Sequence, residues 1–291
     1  MLDTKLNSAY VLSSIIAVLT LVAAAGGLFI DDLYRDDTFI TVGWYGNDLV
    51  TLVVAVPLLV AALILSMCGS QRAQLVWLGM LDYTLYNYAF YLFGAALNRF
   101  FLVYVALFTL SVLALIFGLA NVDVNGISQK FQARTPVKWI SGYMMFWAVL
   151  LGVAWIAQSL DFVVTGQLPQ SGLDEGGFKL VAALDLSLVV PGLVLAAIWL
   201  WKHRPWGYVL AAMFNVKGAT YTLVLTAGSL YQANAGIEGA ADLVPLWIFL
   251  GVASLIGSVL LLRNMQSTEK QGESIHLEDE ISSFGVDARA Q

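Results

Sequence analysis

Four ionisable side chains lie within or at the edge of long apolar stretches of the sequence, and their types make them the best candidates for chemistry. They are Lys217, Asp82, Asp185 and Asp48. A charge at the centre of a bilayer costs at least ~2.5 kcal/mol on insertion scales, so such groups need partners. A desolvated lysine loses its proton readily, and a carboxylate can accept one. Together these residues could bind a polar or anionic substrate, or relay protons.

Polar and aromatic residues recur on the helix faces that carry these charges. Lys217 can share one face with Asn215 and Tyr221. Residues four apart lie on the same face of a helix, and this spacing recurs next to Asp82. The positions concerned are Tyr83, Tyr86, Asn87 and Tyr91. A stretch this polar and aromatic predicts the lining of an internal cavity rather than a surface that faces lipid.

The same residues also allow a purely structural interpretation. Lys217 could pair with Asp82 or Asp185 only to fix helix packing, since buried ion pairs often do nothing else that is measurable. Asp48 and Asp185 each precede an apolar stretch, where a carboxylate favours a helix N-terminus electrostatically. The sequence leaves the structural and the functional interpretations open.

A short acidic segment, Asp-Asp-Leu-Tyr-Arg-Asp-Asp, separates the first two apolar stretches. Clustered carboxylates bind hard cations through oxygen, so its aspartates are candidate metal ligands. They are Asp31, Asp32, Asp36 and Asp37. The segment resembles the aspartate-rich diphosphate motifs of membrane prenyltransferases, although its spacing differs and no second such motif occurs in the other half of the chain. A solvated acidic loop is the other interpretation.

The composition indicates that these residues lie in a membrane. Of the 291 residues, 59% are hydrophobic and only 12% are charged, and the mean hydropathy is +0.79. Soluble domains carry about 25% charged residues. A spanning helix needs about 20 apolar residues. Runs of suitable length cover 10–30, 48–68, 73–94, 98–119, 139–160, 179–201, 206–229 and 243–263. We therefore predict an all-α integral membrane protein with about eight transmembrane helices.

The basic residues predict the orientation of these helices, because cytoplasmic loops carry an excess of lysine and arginine. With the N-terminus inside, most of the 14 basic residues fall on the cytoplasmic side. Only Arg35, Arg99 and Lys179 fall on the outer side, while Lys217 stays within a helix. We expect both termini in the cytoplasm and the chain in a prokaryotic plasma membrane.

The order of several residues recurs about 130–137 positions later, which indicates an internal repeat. The series Asp48, Pro57, Arg72, Met80 and Tyr88 is followed by Asp185, Pro191, Arg204, Met213 and Tyr221. We predict one four-helix unit at 1–125, a second at 126–265, and an acidic, disordered tail at 266–291. Such units are parallel, and sites in transporters of this symmetry lie near the interface of the repeats.

Three functional hypotheses are compatible with these features. The leading one is a transporter or channel for a small polar solute or ion. The first alternative is a non-catalytic membrane subunit, sensor or assembly factor that binds a protein partner through its C-terminal tail. The second is a membrane enzyme acting on a lipid-linked substrate.

Enzymatic activity is the less favoured prediction, because the sequence lacks the common hydrolase, zinc-protease and nucleotide-binding motifs. With two histidines and one cysteine, it offers no conventional set of ligands for zinc, haem or an iron–sulfur cluster. We expect no cofactor. The cytoplasmic basic residues are few and dispersed, so we expect no nucleic-acid partner.

Overall fold

The structure, a computed structural model, describes residues 4–169 and 173–266, and the regular secondary structure of this part of the chain consists of helices. It contains nine helices and no β-strand. They are α1 (Thr4–Phe29), α2 (Thr38–Met67), α3 (Gln71–Gly94), α4 (Phe101–Ala120), α5 (Val124–Gln129), α6 (Val137–Thr165), α7 (Glu175–Trp201), α8 (Pro205–Asn234) and α9 (Val244–Arg263). The prediction of an all-α protein is confirmed. The acidic tail, apart from Gln266, lies outside the described residues.

Seven of the helices in the described ranges are long and apolar enough to cross a membrane. The long helix that does not meet this standard is α3. It has 24 residues, but Arg72, Asp82, Asn87 and several tyrosines lower its hydropathy. Of the eight predicted spans, seven are therefore supported, and a membrane crossing by α3 stays a prediction.

The central helices of the bundle are α3 and α8. Helix α8 packs against α2, α3, α7 and α9, while α3 packs against α2, α4 and α8. Burial of these two helices keeps their polar side chains away from lipid, where an unsatisfied polar group costs several kcal/mol. At the crossing of α2 and α8, a side chain on Gly46 would overlap the backbone of Gly228, so only glycine permits the observed approach.

An irregular turn interrupts both α2 and α7. Each helix contains one turn of π-helix, at Thr51–Ala55 in α2 and at Asp185–Val189 in α7. Each π turn is followed by a proline, Pro57 or Pro191. Proline lacks an N–H donor and disturbs the regular hydrogen-bond ladder, which a wider turn accommodates. The π turn begins at Thr51 in α2 and at Asp185 in α7.

One offset of 134 positions relates several features of the two halves. It separates the two π turns, the ends of α2 and α7, and the starts of α3 and α8. At this offset the counterpart of Asp185 is Thr51, whereas the sequence comparison matched Asp185 with Asp48. The duplication itself remains a prediction.

Several helices begin earlier than the sequence predicts, and two of them contain Asp48 and Asp185. The first residue of α2 is Thr38, and Asp37 caps it by accepting a hydrogen bond from the N–H of Ile40 at 2.9 Å. Asp48 therefore lies ten positions into α2, and Asp185 lies ten positions into α7. The prediction that these two carboxylates favour a helix N-terminus is wrong, because the polar residues before them also join the helix.

Candidate functional site

An ion pair is buried between the two central helices. Nζ of Lys217 on α8 lies 3.4 Å from Oδ2 of Asp82 on α3, and the two side chains are 7% and 11% exposed. The ammonium also lies over the ring of Tyr86, 4.2 Å from its centroid. An ammonium in this position is attracted to the electron-rich face of the ring. The structure thus brings together three of the residues that the sequence singled out.

Tyr86 connects this ion pair to a second carboxylate. Its hydroxyl donates a hydrogen bond to Oδ1 of Asp185, and the indole N–H of Trp155 donates to Oδ2 at 2.7 Å. Asp185 begins the π turn of α7, and Trp155 comes from α6. We call the five residues Lys217, Asp82, Tyr86, Asp185 and Trp155 the central cluster.

The two carboxylates of the central cluster are satisfied in different ways. Both oxygens of Asp185 accept hydrogen bonds from neutral donors. Oδ2 of Asp82, in contrast, has no hydrogen-bond partner among the described residues and depends on the nearby charge of Lys217. A buried charge is unfavourable unless it is both paired and hydrogen-bonded. The Lys217–Asp82 contact is therefore the less fully satisfied part of the cluster.

A separate row of polar side chains joins α2 to α3. The hydroxyl oxygens of Tyr83 and Thr51 are 2.7 Å apart, and Thr51 donates to Oδ1 of Asn47 at 3.1 Å. The amide of Asn47 in turn donates to Oδ1 of Asn87 at 2.9 Å. Tyr83 and Asn87 belong to this row and not to the central cluster.

Asp48 occupies a third buried position, between the α1–α2 loop and α3. The hydroxyls of Tyr34 and Tyr91 each donate to one of its oxygens, that of Tyr91 at 2.8 Å. Burial, followed by the nearby Asp48 carboxyl, raises the pKa of Tyr34 in the loop, so its hydroxyl stays a proton donor. Trp44 packs against Tyr91 with ring centroids 4.3 Å apart. We call Asp48, Tyr34, Trp44, Tyr45 and Tyr91 the Asp48 site.

The acidic segment between α1 and α2 does not gather its carboxylates around one point. Asp36 accepts a hydrogen bond from the indole of Trp44 at 3.3 Å, and Asp37 caps α2. Asp31 and Asp32 are exposed. In the ranges that the structure describes, no three metal-ligating side chains lie close enough to hold an ion. The segment thus supplies a helix cap and a loop anchor.

The predicted neighbours of Lys217 on its own helix separate in the structure. The amide of Asn215 donates to the carbonyl of Ala211 at 2.8 Å and to the sulfur of Met144 at 3.4 Å, and it makes no bond to the central cluster. The ring of Tyr221 packs edge-on against Tyr86, with centroids 4.8 Å apart. Tyr221 therefore borders the cluster, and Asn215 does not.

Trp155 and Tyr34 each donate a hydrogen bond to a buried carboxylate, and neither was among the predicted site residues. Neither is charged, and they stand 30 and 14 positions from the aspartates that they bind. A tyrosine between pairs of aspartates is the signal that could have identified Tyr34. Trp155 lies in an ordinary apolar run and has no such signal.

Two surface cavities of about 360 and 370 Å³ occur in the described part of the chain. The first lies between α2, α8 and α9, and the second lies between α6 and α7. Both are lined mainly by apolar side chains, and neither is lined by a member of the central cluster. The predicted polar cavity is not one of these two, and the central cluster is enclosed by the packed helices.

Comparisons with protein-family models, with curated proteins and with solved structures find no match to this chain. Its fold and composition define its class. The seven apolar helices found in the described residues make it a polytopic helical membrane protein. What is particular to it is the set of buried carboxylates along α2, α3 and α7.

Proposed function

We propose that this protein is a membrane transporter or channel for an ion, and that the ion is a proton that passes through the central cluster. The observation that supports this function is the buried Lys217–Asp82 ion pair. Its ammonium lies over the ring of Tyr86, whose hydroxyl donates a hydrogen bond to Asp185. Ionisable residues inside membrane bundles are costly and mark ion pathways or proton relays.

The central cluster offers a proton a defined acceptor. Oδ2 of Asp82 lacks a hydrogen-bond partner within the described residues, so a proton can add there without breaking one. Protonation leaves a neutral acid beside the free ammonium of Lys217, which is then attracted to Asp185. Release of the proton restores the original pair. The cluster thus has two charge states, and each favours a different position of Lys217.

The proposed topology places this exchange at the seam between two similar halves. We propose that α3 also crosses the membrane, which brings the number of spanning helices to eight. Both termini then lie in the cytoplasm, as the distribution of basic residues favours. In units 1–125 and 126–265, α3 and α8 are then the third spanning helices. Asp82 on one and Lys217 on the other meet across the seam. The constant offset of 134 positions supports this arrangement.

Proton flux into proteoliposomes that contain a pH-sensitive dye tests this proposal. An imposed potential is expected to drive flux through the wild type, while Lys217→Met and Asp82→Asn are each expected to abolish it, since each removes one partner of the exchange. Tyr143→Phe is the control because its hydroxyl bonds the carbonyl of Leu250 at 2.7 Å, away from the cluster. Wild-type flux no higher than in protein-free liposomes, or unchanged flux in both charge variants, would contradict the proposal.

The enclosed packing of the central cluster favours a second candidate, a non-catalytic membrane module. In that case Lys217 and Asp82 only fix the arrangement of α3 and α8. The double variant Lys217→Met with Asp82→Asn distinguishes the two candidates, because it removes both charges together and leaves neither one unpaired. A transporter loses flux in this variant, whereas a structural module keeps its stability and its assembly with partners.

A further inference from the structure

The Asp48 site combines a buried carboxylate with the absence of a cationic partner among the residues that the structure describes. Asp48 is only 3% exposed, and the ion pairs found in this part of the chain involve other acidic residues. The hydrogen bonds to Asp48 come from the neutral hydroxyls of Tyr34 and Tyr91. A carboxylate in such surroundings is strongly attracted to a cation that can reach it.

Aromatic rings flank Tyr34, the loop residue whose hydroxyl bonds this carboxylate. The ring of Tyr34 has its centroid 6.2 Å from Trp44, 5.9 Å from Tyr45 and 6.3 Å from Tyr91. Three aromatic side chains thus flank the ring of Tyr34, and its hydroxyl reaches Asp48. The faces of tryptophan and tyrosine attract ammonium groups, and cages of such rings bind quaternary ammonium ions.

We propose that Asp48 and the rings of Trp44, Tyr45 and Tyr91 bind an organic ammonium ion, and that Tyr34 fills this site in the free protein. The ring of Tyr34 takes the place between the three other rings. Its hydroxyl bonds the carboxylate but brings no positive charge. An ammonium ion in the same place satisfies the rings and neutralises Asp48 as well.

Tyr34 can leave the site because it belongs to a loop and not to a helix. Residues 30–37 connect α1 to α2, and Asp36 fixes this loop by accepting hydrogen bonds. The donors are the indole of Trp44 at 3.3 Å and the N–H of Ala96 at 2.8 Å. The carbonyl of Asp36 also accepts a hydrogen bond from the hydroxyl of Thr41 at 3.0 Å. Asp48 and the three rings belong to helices α2 and α3, so a displacement of the loop that breaks these bonds does not carry them with it.

Calorimetric titration of the purified full-length protein in lipid nanodiscs tests this inference. The probes are tetramethylammonium chloride and choline chloride, and sodium chloride is the reference. The wild type is expected to bind weakly, because Tyr34 competes for the site. Tyr34→Ala is expected to bind roughly tenfold more tightly, a change of about 1.4 kcal/mol. Adding Asp48→Asn to Tyr34→Ala is expected to weaken binding by roughly tenfold or more.

Matched variants separate binding from general effects on folding. Tyr143→Phe removes a buried tyrosine hydroxyl elsewhere in the bundle and should titrate like the wild type. Tyr34→Phe serves if the alanine variant does not fold, because it keeps the ring and loses only the bond to Asp48. Its affinity for the probes should still exceed that of the wild type.

Two results would overturn the inference. The first is the absence of ammonium-specific heat in a Tyr34 variant whose circular dichroism and elution volume match those of the wild type. The second is unchanged affinity after Asp48→Asn. This assay measures binding and not flux, so the inference does not depend on the proposed transport. A protein that binds the probes but carries no protons would contradict only the proposed function.

Discussion

The central cluster and the Asp48 site both bury carboxylates against tyrosines of α3, but they compensate the negative charge differently. In the central cluster, Lys217 supplies a positive charge to Asp82 at 3.4 Å. In the Asp48 site, Tyr34 and Tyr91 supply only hydrogen bonds. Burial alone therefore does not determine how a carboxylate is held. Removing the charge of Lys217 from the central cluster should lower the free energy of unfolding strongly. Neutralising Asp48 should change it little.

The largest effect is expected from Lys217→Met, which leaves the carboxylates of the central cluster without their ammonium partner. Removing one partner of a buried ion pair leaves an uncompensated charge, so the free energy of unfolding should fall by about 3–5 kcal/mol. Unfolding of the protein in mixed micelles with increasing denaturing detergent measures this change.

The control for this prediction is the double variant Lys217→Met with Asp82→Asn. It should recover most of the lost stability, because a neutral pair needs less solvation than a single buried charge. A loss below about 1 kcal/mol in Lys217→Met would show that the ion pair does not hold the two central helices together.

An intermediate effect is expected from Trp155→Phe, which removes one hydrogen bond from Asp185 and leaves the ion pair in place. A buried acceptor without its donor costs about 1–3 kcal/mol, which the same unfolding measurement can resolve. Trp139→Phe is the control on the same helix, because Trp139 is 46% exposed and lies outside the cluster. Equal losses in both variants would indicate that the Trp155–Asp185 bond contributes nothing specific.

The smallest effect is expected from Asp48→Asn, which removes a carboxylate that has no cationic partner among the described residues. Asparagine keeps the shape of the side chain, and its amide oxygen still accepts a hydrogen bond from one tyrosine. We expect the free energy of unfolding to change by about 1 kcal/mol. A loss as large as that of Lys217→Met would mean that Asp48 also depends on a charged partner, contrary to the distinction drawn between the two sites.

Several features of the fold follow from local sequence. Apolar runs located seven helices that can span the membrane, and helix α3 was also predicted, although its polar residues leave its span a prediction. The starts of α2 and α7 were placed too late, because the predicted runs counted apolar residues and left out the polar residues with which both helices begin. The π turns had no sequence signal beyond a nearby proline in each helix.

Most residues of the candidate site were predicted from the sequence, but the contacts between them were not. Lys217, Asp82, Tyr86 and Asp185 were identified because charged and polar groups are rare in apolar runs. How the predicted residues divide among the central cluster, the α2–α3 row of Tyr83 and Asn87, and the Asp48 site depends on how each helix is rotated about its axis. That rotation is set by packing between helices distant in sequence, such as the close approach of α2 to α8 at Gly46.

By itself, the sequence determined the class of protein and the polar residues that must avoid lipid, because hydropathy is a local property of the chain. Only the tertiary structure decided that Asp82 rather than Asp185 lies 3.4 Å from the ammonium, and that Trp155 and Tyr34 satisfy the other two carboxylates. The reason is physical. A buried polar group can be satisfied by any donor that packing brings within about 3 Å, and the residues adjacent to it in the sequence do not indicate which donor that is.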